Sequence, residues 1–332
     1  MIRTVLVITL LLFASGAVAE SQQKAVLITG ASSGLGRAAA EYLAGKGYHV
    51  YAGARKDADM QALNAIENVT AVRLDVTSAE QIAAAVEMVR NEGRGLWGLV
   101  NNAGINVIDP LIEAREEDLE FIFDVNVYGI FRVTRAFAPM IIESKGRIVN
   151  ISSISGILSG GFVGYGMYTM TKHAVEAYTD SLDFEMAPLG VRAIAVEPGN
   201  YSSKIGESRC RRMLNNADDR TYTYFQAEMD QYAEWCKQRL EQGQSPEAGD
   251  PVEVARAIEH ALFNDEPKDH YMVVPVKYQG DIVVWKLLEE MLWLNKDHKY
   301  SMSRDEIIKM MDQEYGVIYE GKPRTFPGPT QD

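Results

Sequence analysis

The feature of this sequence that most constrains its fold is a glycine-rich turn between an apolar run and an alanine-rich stretch of helical periodicity. Residues 25–29 form the apolar run, Gly30, Gly34 and Gly36 mark the turn, and a helix is predicted over about residues 35–43. When a strand, a glycine turn and a helix follow one another, the backbone of the glycines can approach a pyrophosphate that lies at the N-terminus of the helix. A plain tight turn would need the same glycines, but the position between strand and helix favours a nucleotide site.

The rest of the chain alternates apolar runs with helical patterns. Helices are predicted over about residues 78–91 and 118–142, and further strands at residues 49–54, 70–74, 98–100, 147–151, 191–196 and 271–274. Alternation of this kind predicts an α/β fold of the Rossmann type, a doubly wound parallel sheet with helices on both faces. Ligands of such sheets lie beyond the carboxyl ends of the strands.

We predict a single Rossmann domain over residues 24–280. Residues 204–250 are rich in aromatic and arginine side chains and are predicted to form a helical lid over a substrate. The bulk of this lid suggests that the substrate is apolar. For each aromatic side chain taken singly, packing within the lid is the simpler explanation. Residues 281–332 form a C-terminal helical extension, whose amphipathic part at 285–294 suits a subunit interface, a substrate wall or a membrane-surface contact, with core packing as the default.

A tyrosine and a lysine are spaced four residues apart in Tyr168-Thr-Met-Thr-Lys172. On a helix these two side chains share a face, and a nearby ammonium favours the ionised form of a phenol. The pair therefore suits general acid and base catalysis. The spacing alone proves little, because Tyr42 and Lys46 have it too at the end of an ordinary helix.

The strand at residues 49–54 ends in Arg55 and Lys56, where a dinucleotide fold meets the adenosine ribose. An acidic residue at this position binds a free 2′-hydroxyl, whereas arginine accommodates a 2′-phosphate. We therefore expect NADP as the cofactor, with NAD possible. The alternative is that Arg55 is only a solvated charge at the end of a strand.

Taken together, the motifs resemble those of the short-chain dehydrogenase/reductase superfamily. They occur in the order Thr29-Gly30-x-x-x-Gly34-x-Gly36, Asp75-Val76, Asn101-Asn102-Ala103-Gly104, Asn126, Asn150-Ile-Ser-Ser153, Tyr168-x-x-x-Lys172 and Pro198-Gly199. They span about residues 24–200. Within the superfamily, residues 168–200 are similar to the branch of hydroxybutyrate, retinol and 17β-hydroxysteroid dehydrogenases.

The resemblance implies hydride exchange between nicotinamide C4 and a secondary alcohol or ketone. By this resemblance, Tyr168 exchanges the hydroxyl proton, Lys172 lowers its pKa, Ser153 binds the substrate oxygen and Asn126 holds a water that leads to solvent. The cofactor-binding residues implied are Gly30, Ser32, Ser33, Gly34, Leu35, Gly36, Arg55, Asp75, Val76, Asn102, Ala103, Gly104, Tyr168, Lys172, Pro198 and Gly199. Structural roles are the alternatives for Asn126, Ser153 and Asn102.

Two departures from the family pattern affect this assignment. The glycine-rich segment between Ser153 and Tyr168 is slightly longer than usual, so Ser155 is a possible replacement for Ser153. The threonine expected shortly after Pro198-Gly199 is missing, and Ser202 and Ser203 stand there instead. A serine hydroxyl could make a similar contact.

Composition excludes some functions and leaves others open. A net charge of −13 without a basic run argues against nucleic acid, and no metal site is predicted. A small apolar carbonyl or alcohol is the expected partner, and the resemblance implies a homo-oligomer. The alternative enzyme is an NAD-linked hydroxyacid dehydrogenase of the 3-hydroxybutyrate kind. The alternative that is not an enzyme is a nucleotide-binding sensor without turnover.

The first residues resemble a leader. Arg3 precedes an apolar run that ends in Ala17-Val-Ala19, which predicts a signal peptide cleaved after Ala19 and an exported protein. The alternative is an uncleaved N-terminal membrane anchor. Cys210 and Cys236 could pair in an oxidising compartment, although separate free thiols fit the sequence equally well.

Overall fold

The computed structural model describes residues 23–217, 220–243 and 248–323, and the predicted leader at residues 1–19 lies outside them. One seven-stranded sheet organises this part of the chain, with the strand order β3-β2-β1-β4-β5-β6-β7 and every neighbouring pair parallel. The strands are β1 Ala25–Ile28, β2 His49–Ala54, β3 Val69–Arg73, β4 Gly98–Asn101, β5 Arg147–Ile151, β6 Arg192–Pro198 and β7 His270–Val273. Each predicted strand lies within two residues of an observed one.

Eleven α-helices are present among the described residues. They are α1 Gly34–Gly45, α2 Asp57–Asn64, α3 Ala79–Asn91, α4 Glu116–Phe123, α5 Gly129–Ser144, α6 Gly166–Met186, α7 Lys204–Ala217, α8 Gln226–Gln242, α9 Val252–Phe263, α10 Lys277–Leu294 and α11 Arg304–Glu320. The sequence analysis did not predict α2, and α10 begins eight residues before the predicted stretch at 285–294.

The helices bury both faces of the sheet, which explains why its strands are continuous apolar runs. Successive residues of β1 point to opposite faces: Val26 and Ile28 pack in a core with α1 and α9, whereas Leu27 packs in a second core with α3 and α5. The strand order reverses beside β1, between β2 and β4. A crevice for a ligand is expected at this switch point, outside the carboxyl ends of the strands.

The prediction of a single helix over residues 118–142 is wrong in one respect. The helical path is continuous from α4 to α5, but residues Asp124–Tyr128 form a π-helical turn between them, in which the Gly129 amide donates to the Asp124 carbonyl. Such single turns are frequent at functional sites, because the inserted residue redirects neighbouring side chains. Asn126 lies in the middle of this turn.

A disulfide between Cys210 and Cys236 joins α7 to α8, with 5.0 Å between their Cα atoms. The two helices pack along each other in the region predicted as the lid, and both cysteines are buried. This pairing is the outcome that the sequence had left open. In the described part of the chain, no helix has the length and apolar character needed to cross a membrane.

Candidate active site

The glycine turn after β1 is built for close backbone approach. Gly30 adopts a left-handed conformation with φ of 65°, which glycine tolerates without strain. A Cβ on Gly36 would lie 2.6 Å from the Gly30 carbonyl oxygen and 2.3 Å from Nδ2 of Asn102. Ser33 precedes α1 and its side chain makes no capping hydrogen bond, so the first amides of α1 are not capped by it. A phosphate group fits this helix N-terminus.

Asn102 and Thr29 tie the turn to the neighbouring strand. The Asn102 amide group donates to the carbonyls of Thr29, at 2.9 Å, and Gly30, at 3.1 Å. The Thr29 hydroxyl accepts hydrogen bonds from the backbone amides of Asn102 and Ala103. The side chain of Asn102 therefore has the structural role that was one of its two predicted alternatives.

Arg55 and Asp75 lie together at the ends of β2 and β3. The Arg55 guanidinium is 3.5 Å from the Asp75 carboxylate, and the Arg55 side chain is 66% exposed. Burial of Asp75 opposes its ionisation, but hydrogen bonds from Thr77 and the charge of Arg55 hold the pKa below its usual value. Val76 is buried in the core and packs against Gly129 at the start of α5.

Tyr168 and Lys172 lie on one face of α6 and are both buried, with exposed fractions of 8% and 5%. The Lys172 ammonium donates a 2.8 Å hydrogen bond to the carbonyl of Ile151 and lies 5.6 Å from the centroid of the Tyr168 ring. A Cβ on Gly104 would lie 4.0 Å from this ammonium, so the loop after β4 passes beside it. The two side chains thus meet at the carboxyl ends of β4 and β5.

Burial controls the protonation of both groups. It raises the pKa of the Tyr168 hydroxyl above its usual value, and the neighbouring Tyr165 adds to this effect. Ser153 and the charge of Arg209 act in the opposite direction. The resemblance implied that Lys172 lowers the pKa of Tyr168, but desolvation outweighs the lowering effects here. Burial also lowers the pKa of Lys172, to about 8.

Ser153, and not Ser155, influences the protonation of Tyr168, because it lowers the pKa of that hydroxyl. The Ser153 hydroxyl accepts a 3.1 Å hydrogen bond from the Ser155 amide and donates a 3.5 Å hydrogen bond to the Pro198 carbonyl. The Ser155 hydroxyl turns away and donates to the hydroxyl of Tyr165. The binding of a substrate oxygen by Ser153 stays a prediction.

Asn126 joins the loop after β4 to α6. Its side-chain oxygen accepts from the Ile105 amide, and its nitrogen donates to the Ile105 carbonyl and to the Thr171 hydroxyl at 3.1 Å. These three bonds position the loop that carries Gly104 beside Lys172. A water held by Asn126 stays a prediction.

The segment after β6 is held by a residue that the sequence analysis missed. Gln279 of α10 is buried, and its side-chain oxygen accepts a 2.9 Å hydrogen bond from the Asn200 amide. A Cβ on Gly199 would lie 2.2 Å from the same oxygen, so a larger residue would displace the Gln279 side chain from this hydrogen bond. Ser203 lies next to Gly34, where a Cβ would be 3.0 Å from the Ser203 Cβ atom. The start of the lid thus touches the glycine turn.

A row of aromatic rings leads from Tyr168 to the lid, with centroids 4.9–5.4 Å apart; its members in order are Tyr168, Tyr165, Phe162, Tyr232 and Trp235. Arg209 of α7 lies over the last two rings, with its guanidinium carbon 5.7 Å and 5.6 Å from their centroids. Its Nε atom is buried and has no hydrogen-bond partner among the described residues. The sequence analysis noted arginine side chains in residues 204–250 but assigned none of them to the site, because no local spacing links α7 to Tyr168.

The other Tyr-x-x-x-Lys pair is placed elsewhere. Tyr42 donates a hydrogen bond to Glu259 of α9, and Lys46 ends α1 with a half-exposed side chain. This pair is an ordinary helix end, as expected.

The glycine turn, the Tyr168 and Lys172 pair and Ser153 all lie at the carboxyl edge of one parallel sheet. This arrangement defines an oxidoreductase of the Rossmann type that uses a nicotinamide cofactor and acts on CH–OH groups. The chain belongs to the short-chain dehydrogenase/reductase family, since the family model described as short chain dehydrogenase matches residues 24–213.

Known proteins confirm the family and the branch. The chain is 34% identical over 271 residues to the mitochondrial D-beta-hydroxybutyrate dehydrogenase of Bos taurus. The aligned region covers 75% of this chain and 76% of that protein. It is 34% identical over 263 residues to retinol dehydrogenase 7 of Rattus norvegicus, covering 76% and 81% of the two chains. A crystal structure of a short-chain dehydrogenase from Streptomyces avermitilis superposes with a TM-score of 0.64 at 28% identity, covering 91% of this chain and 99% of that one.

Proposed function

We propose that the protein is an NADP-preferring dehydrogenase/reductase that interconverts a ketone and a secondary alcohol. The observation that carries this proposal is the burial of Tyr168 and Lys172 on one face of α6, with the Lys172 ammonium bonded to the Ile151 carbonyl at the end of the strand that leads into Ser153. The cofactor, when bound, supplies or receives the hydride at nicotinamide C4. The glycine turn and the N-terminus of α1 would hold its pyrophosphate, and the residues after β6 would lie beside its nicotinamide.

The side chains of this site are suited to proton transfer. During reduction, the carbonyl oxygen gains negative charge and takes the proton of the Tyr168 hydroxyl, while Ser153 donates a hydrogen bond to that oxygen. The Tyr168 phenolate that remains is stabilised by the positive charge of Lys172 and recovers a proton from solvent. In oxidation the same steps run in reverse, and Tyr168 acts as the base.

The NADP preference rests on Arg55. Its guanidinium is largely exposed at the end of β2, and its contact to Asp75 is long, at 3.5 Å. A 2′-phosphate would pair its negative charge with the guanidinium, whereas a neutral 2′-hydroxyl could only accept a hydrogen bond from it. In Arg55→Leu we expect kcat/KM with NADPH to fall by about 10-fold or more, with NADH little changed. An equal loss with both cofactors would contradict the preference.

The substrate is proposed to lie under α7 and α8, against the aromatic row. These rings favour an apolar body for the substrate. Arg209 favours a second candidate, a substrate that also carries a carboxylate, as a hydroxyacid does, because its charge reaches Tyr168 and its Nε atom is buried without a hydrogen-bond partner. The similarity to a D-beta-hydroxybutyrate dehydrogenase supports this candidate.

A matched pair of substrates distinguishes the two candidates: a keto acid and the neutral ketone of the same carbon skeleton. If Arg209 binds a carboxylate, Arg209→Met lowers kcat/KM for the acid by about 10- to 100-fold and leaves the neutral ketone unchanged. Arg211→Met is the control, since Arg211 is exposed on the same helix and paired with Glu207. Equal losses for both substrates would show that Arg209 only packs the lid.

The test of the whole proposal is NADPH and NADH oxidation by the purified protein with steroid, retinoid, aliphatic and keto-acid carbonyls. Tyr168→Phe should abolish turnover while cofactor binding persists, because only the hydroxyl is removed. Tight NADPH binding without turnover of any carbonyl would instead favour a nucleotide-binding sensor.

Export is also proposed. The disulfide between Cys210 and Cys236 supports an oxidising compartment, which agrees with a leader cleaved after Ala19. N-terminal sequencing of protein from its native host would test this, and an intact Met1 would contradict cleavage and favour the membrane anchor. A homo-oligomer is proposed on the family resemblance alone and is testable by sedimentation.

A further inference from the structure

A group of two glutamates and a histidine lies outside the hydride-transfer site, between α6 and the last two strands. Glu176 belongs to α6, Glu197 to β6 and His270 to the start of β7. One potential ligand atom from each of these side chains lies within 4.8 Å of the other two. We call these three residues the Glu–His cluster. The sequence could not reveal it, since its members are up to 94 positions apart.

The cluster contains buried carboxylate oxygens that lack a partner. Glu197 is only 1% exposed, and its Oε2 atom has no hydrogen-bond partner among the described residues. The same holds for the buried Oε1 atom of Glu176. Buried polar atoms are nearly always satisfied, and leaving a charged one unsatisfied is costly. Each carboxylate turns its other oxygen, Oε2 of Glu176 and Oε1 of Glu197, towards His270. Two buried carboxylates from separate elements, each with one oxygen left unsatisfied, indicate that a cationic ligand belongs beside them.

The histidine is oriented as a metal ligand would be. Its Nδ1 atom lies 2.7 Å from Oε1 of Glu197 and 3.6 Å from Oε2 of Glu176. Ligand atoms about 2.0–2.1 Å from a tetrahedral zinc ion are themselves about 3.3 Å apart, which lies between these two separations. The Nε2 atom lies 3.0 Å from the carboxylate of Asp180, one turn along α6 from Glu176. A histidine bound to a metal usually donates its other N–H to a carboxylate in this way.

We propose that Glu176, Glu197 and His270 bind one divalent cation of the zinc class, with His270 ligating through Nδ1 and Asp180 accepting from its Nε2–H. Two carboxylates balance the charge of the ion, and water completes its coordination from solvent, which reaches the 45% exposed His270 side chain. The ion would join α6, which carries Lys172, to β6, which leads to Pro198. It is a structural site and takes no part in the transfer of hydride.

The competing interpretation has no metal. Hydrogen bonds to Glu176 and Glu197 would then raise the pKa of His270 to about 11, and the imidazolium would be the only cation within the cluster. The two interpretations differ in a measurable way, because only the first predicts stoichiometric uptake of a transition metal.

The test uses the full-length, disulfide-intact protein after treatment with a chelator. We expect one equivalent of Co²⁺ to bind with the intense visible absorption of a tetrahedral site, Zn²⁺ to displace it, and either ion to raise Tm. His270→Asn and Glu197→Gln should abolish this absorption. Asp180→Asn should weaken binding by about 10- to 100-fold, because it removes the acceptor for the ligand histidine.

His173→Asn is the matched control, since His173 also lies on α6 but bonds the Thr169 carbonyl. It should bind Co²⁺ as the unchanged protein does. Absence of stoichiometric uptake by the unchanged protein would overturn the proposal, whatever the variants do. Uptake that persists in folded His270→Asn would place the metal elsewhere and overturn it as well.

Discussion

The ammonium of Lys172 donates a 2.8 Å hydrogen bond to the carbonyl of Ile151, the last residue of β5. One buried cation therefore links the helix that carries Tyr168 to the strand that precedes Ser153. The position of Lys172 serves the site as much as its charge does.

Replacement of this cation tests that relationship. We expect Lys172→Met to lower kcat by about 100-fold or more, because the Tyr168 phenolate loses its stabilising charge and Ser153 loses the anchor of its loop. The free energy of unfolding should change little, since a buried charge that is costly to desolvate is removed with its hydrogen bond. Steady-state kinetics and thermal unfolding measure both effects.

The control is Lys46→Met, which alters a lysine of identical spacing from its tyrosine at the surface end of α1. Its kcat should equal that of the unchanged protein. A similar loss in both variants would mean that Lys172 has no special role.

The two directions of the reaction should depend on pH differently. Burial raises the pKa of Tyr168, so the hydroxyl stays protonated at neutral pH and is ready to donate a proton in reduction. Oxidation needs the deprotonated form, whose population grows as pH rises towards that pKa. Since Lys172 loses its charge near its pKa of about 8, we expect the oxidation rate to increase about 10-fold per pH unit only between about pH 6 and 7, while reduction stays level over that range. A flat profile for oxidation would contradict Tyr168 as the base.

Gly36 and Gly45 allow a paired test of the cofactor turn. A Cβ on Gly36 would overlap with Asn102 and with the Gly30 carbonyl, whereas a Cβ on Gly45, on the same helix, meets nothing within 4 Å. Gly36→Ala should therefore push the turn open and weaken NADPH binding by about 10-fold or more. Gly45→Ala should leave binding unchanged and, if anything, stabilise the helix by up to about 1 kcal/mol. Fluorescence titration with NADPH and thermal unfolding distinguish the two.

The disulfide should stabilise the region proposed as the lid. Cys210 and Cys236 are 26 positions apart and lie next to Arg209 and Trp235 in the chain. Reduction should lower the free energy of unfolding by about 2–4 kcal/mol and raise KM for the substrate, because the rings and guanidinium over the site lose their mutual alignment. Activity and Tm with and without dithiothreitol measure this.

The double variant Cys210→Ser with Cys236→Ser controls for effects of dithiothreitol other than reduction of this disulfide, since the chain has no other cysteine. It should resemble the reduced protein and respond to dithiothreitol no further. An unchanged KM in both cases would show that the disulfide does not influence substrate binding.

A buried histidine should make the fold sensitive to acid. Burial of His49, aided by the charge of Arg94 and opposed by Glu92, lowers its pKa in the folded protein. Below the usual histidine pKa of about 6.5, the unfolded chain binds a proton that the folded protein does not, so stability falls as pH falls. Urea unfolding at a series of pH values should show this loss, and His49→Gln should reduce it. A steeper loss in the variant would contradict the assignment.

The sequence by itself determined the parts of this protein that depend on neighbours along the chain. Apolar runs located every described strand within two residues because burial on both faces of the sheet requires mostly apolar residues along the strands. The spacing of Tyr168 and Lys172, and the glycines after β1, determined those parts of the site, because a helix and a tight turn are local structures.

Only the tertiary structure decided what depends on contacts between distant elements. Several features of the protein depend on contacts between separate elements. They are the different contacts of Ser153 and Ser155, the hydrogen bond between Gln279 and Asn200, the position of Arg209 above the aromatic row and the proximity of Glu176, Glu197 and His270. The pairing of Cys210 with Cys236 required the packing of two helices. The pKa of Tyr168 also depends on the tertiary structure, because burial by the whole fold outweighs the influence of nearby charges.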